Sequence, residues 1–376
     1  MEKRERMSGP ELLRCMAMMM VVVLHYLGKG GLLGDLTGDK LESVGICAWL
    51  MESFCIVAVN AYMFISGYFL CESSFKLSRL LSLWLQIWFY SVVFGILGML
   101  TGVVTGATVD THYFLTLLFP VSMGHYWFMT AYVFIYLLMP FVGLALQKMT
   151  KVQMQLTALS LLTVFCVIKS VIPVRFEMDG QGYDCLWYLC VFVTAAYIRK
   201  FGVPFLKKRS RCVLLYVLGC LGAFGWTMGL RQIYLHTGMF DMMLKMSMEY
   251  NHILPFIAAV GLASAFIGLE INRKIASVIN KVAPCVLGVY LLHENIGLRY
   301  AWQKWFGADK ISSVAELLLR TAAAVAVVFF CGVLVELLRK MLFGLVDRIL
   351  KRIGIYRRMQ EKLVQADAVF KPECRG

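Results

Sequence analysis

Apolar runs of about twenty residues recur along the whole chain, and they leave it little else to become. They cover residues 11–28, 46–70, 80–104, 125–147, 156–173, 184–199, 212–230, 251–269, 282–300 and 314–338. A helix needs about twenty apolar residues to cross the ~30 Å hydrocarbon core of a bilayer. The runs carry scattered Gly and Pro and lack the strict alternation of barrel strands, so helices are expected. With 60% hydrophobic and only 16% charged residues, and a mean hydropathy of +0.72, a soluble domain is excluded. The expected fold class is all-α: a polytopic integral membrane protein of about ten transmembrane helices, with both termini cytoplasmic.

The formal net charge of +14 follows from that topology. Most of the 37 Lys and Arg fall on one side: at the N-terminus, around Lys76 and Lys148, from Arg199 to Arg211, from Arg273 to Lys281, and from Arg339 onward. That asymmetry is the positive-inside rule, and it calls for no nucleic acid. Lys3, Arg4 and Arg6 precede the first run, as in a signal peptide. Gly28-Lys29-Gly30-Gly31 follows it, without a small-x-small cleavage site, so an uncleaved first span is expected. The 12 cysteines are scattered, with no Cys-x-x-Cys and no metal-ligand spacing, and read as buried membrane thiols. No metal is expected.

Loops on the far side are longer: 29–45, 105–124, 231–250 and 301–313. Within the second of these, His112 to Pro120 is apolar but too short to span, which suits a re-entrant or interfacial helix. No internal repeat is evident, which disfavours an inverted-repeat transporter. Residues 1–340 form the expected transmembrane domain. Residues 341–376 mix Leu, Ile and Val with Arg348, Lys351, Arg352, Arg357 and Arg358, and read as a basic amphipathic cytoplasmic tail on an anionic leaflet. No segment outside the spans is long enough for a soluble catalytic domain.

Ionisable residues inside apolar runs are costly, and they mark function. The first run, ELLRCMAMMMVVVLHYLG, holds Arg14 and His25. Eleven residues apart on a helix means three turns plus roughly 20°, so both lie on one face with a rise of about 16 Å. His25 is the candidate catalytic residue, as a general base or an acyl relay. The guanidinium fork of Arg14 suits phosphate. Lys76 and Arg79, three apart, would complete a basic rim for a phosphate-bearing cofactor. In the second run Glu52 is expected to orient the His25 imidazole. The candidate substrate-binding residues are Asn60, Trp127, Tyr290, His293 and Glu294. Trp127, in His125-Tyr126-Trp127-Phe128, is an interfacial anchor that could also floor a sugar ring. His293 and Glu294 could line a cavity or satisfy each other, and Glu316 and Arg320 are spaced to pair. There is no Gly-x-Ser-x-Gly elbow, P-loop or dinucleotide fingerprint.

Five motifs in order resemble the acyltransferase-3 family of bacterial membrane O-acyltransferases. Arg14-x10-His25 matches that family's first-helix signature. Phe64-Ile65-Ser66-Gly67-Tyr68-Phe69 is similar to its second-span stretch. Lys76-Leu77-Ser78-Arg79 stands where the family has R-x-x-R, here with Lys first. His125-Tyr126-Trp127-Phe128 and Val289-Tyr290-Leu291-Leu292-His293 resemble later family stretches. The similarity covers about residues 8 to 340. It implies transfer of an acyl group, usually acetyl, from cytoplasmic acyl-CoA to a hydroxyl of an envelope carbohydrate across a bacterial inner membrane. It implies that Arg14, Lys76 and Arg79 meet the cofactor's phosphates and that His25 is base or relay. Some relatives carry a fused extracellular SGNH domain. No such domain is expected here, so the spans would complete transfer or hand over to a separate extracytoplasmic partner. The expected partners are acyl-CoA, the carbohydrate acceptor and the lipid bilayer. The rival reading is an exporter of polysaccharide or lipid-linked sugar.

Overall fold

The computed structural model describes residues 7–103, 109–172 and 179–370. Among them there is helix and no strand. The helices, in order, are α1 (Ser8–Lys29), α2 (Ser43–Cys55), α3 (Val57–Leu70), α4 (Leu77–Leu100), α5 (Thr111–Leu118), α6 (Trp127–Lys148), α7 (Lys151–Leu162) and α8 (Ile168–Val171). They continue with α9 (Cys185–Phe201), α10 (Arg209–Thr237), α11 (Ile253–Phe266), α12 (Arg273–Val282), α13 (Val286–His293), α14 (Trp302–Trp305), α15 (Val314–Leu350) and α16 (Gly354–Val369).

Eight helices or continuous helix pairs among the described residues are long and apolar enough to cross a membrane. Two predicted spans fall short of that length, α9 with 17 residues and α11 with 14. Their apolar faces are buried against other helices, chiefly α3 for α9 and α10 for α11. They need no full-length lipid-facing surface of their own. The lipid-facing surface lies on the longer helices, where Leu100, Phe141, Leu319 and Phe330 are exposed. In a bilayer such side chains cost nothing to expose.

Helix α1 is the hub. It packs against α2, α3, α11, α12, α13 and α15, and Leu13, Ala17, Val22, Tyr26 and Leu27 on it are fully buried. One apolar core gathers α3, α6, α7, α9 and α11. A second gathers α1, α4, α13 and α15. The second-span motif has a packing role here. A Cβ on Gly67 would lie 2.8 Å from the Phe192 Cα on α9, so only glycine lets α3 and α9 approach this closely. Next to it, the Tyr68 ring carries the Arg199 guanidinium at 4.9 Å.

Three boundaries differ from the sequence expectation. The run at 282–300 is a helix only as far as His293. Beyond it Asn295 turns the chain: its Oδ1 accepts from Gly297 N (2.9 Å) and its Nδ2 donates to Tyr90 O (2.9 Å). The span instead begins earlier, at Arg273, on the amphipathic α12, and bends at Pro284. Helix α15 runs unbroken through residue 340 to Leu350. At 37 residues it is about 55 Å long, well beyond a bilayer core. Helix α16 then docks on α4: Asp367 accepts from Ser78 N (3.0 Å) and Ser78 Oγ (2.5 Å), and the Phe370 ring lies 4.9 Å from Phe75. The 112–120 segment forms the short helix α5, capped by Asp110 and fastened to α4 through Tyr113 OH and Gly95 O (2.8 Å).

Candidate active site

A cavity of about 430 Å³ runs beside α1, walled by residues of both apolar cores. Arg14 and Glu11 line one end and His25 the other. The stripe implied by their spacing therefore faces the protein interior. The wall between them is apolar, with Met18, Val21 and Leu24 on the α1 side.

At the first end, Arg14 Nη1 donates to Glu11 Oε1 (2.6 Å), and Tyr62 OH donates to the Arg14 carbonyl (2.5 Å). The bond to Glu11 uses one of five guanidinium N–H groups. Arg79 lines the same end. Lys76 is exposed and lies outside the cavity wall; its backbone N and O both bind the Tyr136 hydroxyl (3.1 and 3.2 Å).

At the second end the hydrogen bonds assign the protons. His293 Nδ1 lies 2.6 Å from the Val289 carbonyl, which can only accept, so this nitrogen carries the proton. In a neutral ring His293 Nε2 is then bare. It lies 2.9 Å from His25 Nδ1, which must donate to it. Glu294 Oε1 is 3.2 Å from the same His25 nitrogen and pairs with the Lys29 ammonium. His25 Nε2 is left with a lone pair and no protein partner among the described residues, on a ring that lines the cavity. Packing holds the arrangement. His293 meets Trp302 and Tyr290 edge-on at 5.9 and 6.1 Å, and Trp302 stacks on Tyr26 at 6.0 Å. A bare imidazole nitrogen on a ring that lines a cavity, with its other nitrogen beside a carboxylate, can take a proton and hold the resulting charge.

Other candidates sit elsewhere. Glu52 makes no hydrogen bond or ion pair with His25; the carboxylate beside that ring is Glu294. Spacing within one helix cannot say which neighbouring helix meets its face, and α13 is the one that reaches His25. Glu52 Oε2 is buried without a hydrogen-bond partner. Asn60 is an internal strut outside the cavity wall: it donates to Tyr250 O (2.7 Å) and accepts from Trp187 Nε1 (2.8 Å). Trp127 and Tyr290 line the cavity. His293 and Glu294 contact His25 without being part of the cavity wall. Glu316 and Arg320 pair at 3.5 Å.

His125 is the reverse of His25. Ile296 N donates to its Nε2 (2.8 Å), so its Nδ1–H points at Ser91 Oγ (2.9 Å) and cannot take that hydroxyl's proton. Burial, helped by the Arg299 charge, lowers its pKa to about 3. Lys29 was not anticipated from the sequence. It lies four residues beyond His25, on the same face, and that spacing was the available signal. Ligand atoms of His25, His293 and Glu294 lie within 4.8 Å of one another, the donor types that hold a divalent cation. The charge opposite Glu294 here is the Lys29 ammonium.

Compared with known families, residues 7–336 match the family described as "Acyltransferase domain". Neither a curated protein nor a solved structure matches the chain.

Proposed function

The chain belongs to the acyltransferase-3 family and is a multi-pass membrane acyltransferase; from that premise we propose that it moves an acyl group, acetyl by preference, from cytoplasmic acyl-CoA to a hydroxyl of an envelope carbohydrate, with His25 as general base. One observation carries the reading: a bare imidazole nitrogen and a phosphate-suited guanidinium line opposite ends of one cavity.

In this reading the Arg14 end is the cytoplasmic one, as the distribution of Lys and Arg favours, in a bacterial inner membrane. Burying a phosphate is costly, so the donor's phosphates stay at the mouth with Arg14, Arg79 and Lys76. Only the thin pantetheine arm enters, and the rise of about 16 Å from Arg14 to His25 is the distance it covers. The acceptor arrives from the opposite face. His25 Nε2 removes the proton of its hydroxyl as the oxygen attacks the thioester carbonyl carbon. The C–S bond breaks, the ester forms, and the imidazolium returns its proton to the departing thiolate. Glu294 stabilises the imidazolium, Lys29 keeps Glu294 from being an isolated buried charge, and His293 holds the ring's orientation.

The test uses the full chain in proteoliposomes with radiolabelled acetyl-CoA and an envelope glycan extract. His25→Ala abolishes transfer, by at least 10²-fold on the usual scale of general-base catalysis, while the protein still inserts. Arg14→Ala raises the donor KM and leaves acceptor KM unchanged. Transfer at the normal rate by His25→Ala would overturn the assignment. Glycan flux without donor consumption would favour the exporter.

A further inference from the structure

At the His25 end, four segments converge that the acyl-transfer step does not use. They are the start of α6, the end of α8, residues 179–184 before α9, and residues 249–252 before α11. Lys169 is 1% exposed. Its ammonium lies 2.5 Å from Asp179 Oδ2 and 2.5 Å from Glu249 Oε2, and it donates to Asn251 Oδ1 (2.7 Å). Asp179 Oδ1 accepts from Asn251 Nδ2 (2.7 Å) and Gln181 N (2.9 Å). Buried charges cost desolvation, so such a cluster contributes little net stability. It does tie two irregular segments together.

Each of those segments carries a tyrosine, Tyr183 in the first and Tyr250 in the second. Gly182 has φ +84°, and a Cβ there would meet Tyr250 Cβ at 2.6 Å and Asn251 N at 2.9 Å. Glycine therefore lets the chain pass close enough to set the Tyr183 ring 4.7 Å from Tyr250 and 4.5 Å from Trp127. Trp127 and Tyr250 stack at 5.7 Å and 22°. Trp127 and Tyr250 line the cavity, while Tyr183 is 47% exposed. An aromatic surface thus runs from the protein exterior into the cavity that holds His25.

We propose that Tyr183, Trp127 and Tyr250 form a saccharide subsite at the mouth of the cavity, with a pyranose ring lying on the Trp127–Tyr183 surface and the Lys169 cluster holding that surface in place. A pyranose has C–H faces that pack on aromatic rings and a rim of hydroxyls that pair with phenols. The subsite gives the acceptor of the proposed reaction a place, and it rests on that reading only for what happens to the sugar after it binds.

Binding is measured on an array of neutral and amino-sugar oligosaccharides, with the full chain in nanodiscs and no acyl donor. Wild type retains at least one glycan. Tyr183→Ala weakens it at least tenfold, which is about 1.4 kcal/mol, and Tyr183→Trp restores it. Tyr183 is half-exposed, so its variants should fold; an unchanged melting temperature checks this. Wild type retaining no glycan, or Tyr183→Ala binding as tightly as wild type, overturns the subsite. Tyr183-dependent glycan binding without acyl transfer leaves the subsite standing and removes the acyltransferase mechanism instead.

Discussion

The chemistry at His25 depends on which nitrogen carries the proton, and a neighbour sets that. The Val289 carbonyl holds the His293 proton on Nδ1, His293 Nε2 then claims the His25 Nδ1 proton, and His25 Nε2 is left bare. His293 touches neither donor nor acceptor in the proposed reaction; it is a positioning residue. His293→Ala should therefore lower kcat by on the order of 10²-fold with both KM values nearly unchanged. His293→Gln, whose carbonyl can still accept from His25, should recover part of the loss. An equal loss in the two variants would reduce His293 to packing. Arg14 and His25 were legible from spacing, because one helix fixes the angle between its own side chains. Glu294 in place of Glu52 was not, because that contact joins residues 269 positions apart in the sequence.

Elements here are set by close approach as much as by hydropathy. The stretch Phe64 to Phe69 reads in sequence as a motif, and in the fold its glycine is the contact point of α3 and α9. Gly67→Ala puts a methyl 2.8 Å from backbone, against the Phe192 Cα, and 3.0 Å from the Ala195 Cβ. Backbone cannot yield as a flexible side chain can, so a loss of about 1–3 kcal/mol is expected. A lowered melting temperature in detergent measures it, and wild-type stability would show that the two helices separate without cost. Helix existence was legible along the chain, since apolar runs of this length have few alternatives. Helix ends were less so. Hydropathy starts the ninth span at residue 282 because α12 alternates apolar residues with Arg273, Lys274 and Lys281. It overshoots the other end because the turn at Asn295 depends on partners in α4.

Across the whole molecule, stability should depend on pH through histidines outside the spans. Burial lowers His125 to about 3 and His252 to about 4, each with a smaller contribution from a nearby cation, Arg299 and Lys169 respectively. Both are depressed below the ordinary value of 6.5. Unfolding frees them to protonate, so their contribution is complete above pH 6.5 and is lost as the pH falls towards 4 and then 3. The melting temperature of the purified chain should fall steadily over that window. A His125→Gln, His252→Asn double variant should fall less steeply, and identical slopes would assign the dependence to other groups.

The amino-acid sequence alone determined that this chain crosses a membrane repeatedly as helices, and that one helix carries a guanidinium and an imidazole on a single face. Both follow from local physics: the cost of unpaired backbone in lipid and the angular repeat of a helix. Tertiary structure alone decided what meets that face. It set Glu294, His293 and Lys29 about the imidazole, turned Asn60 into a strut, and brought Tyr183, Tyr250 and Trp127 together around a buried lysine. Such contacts join residues distant in sequence, and no periodicity within one helix records which others pack beside it.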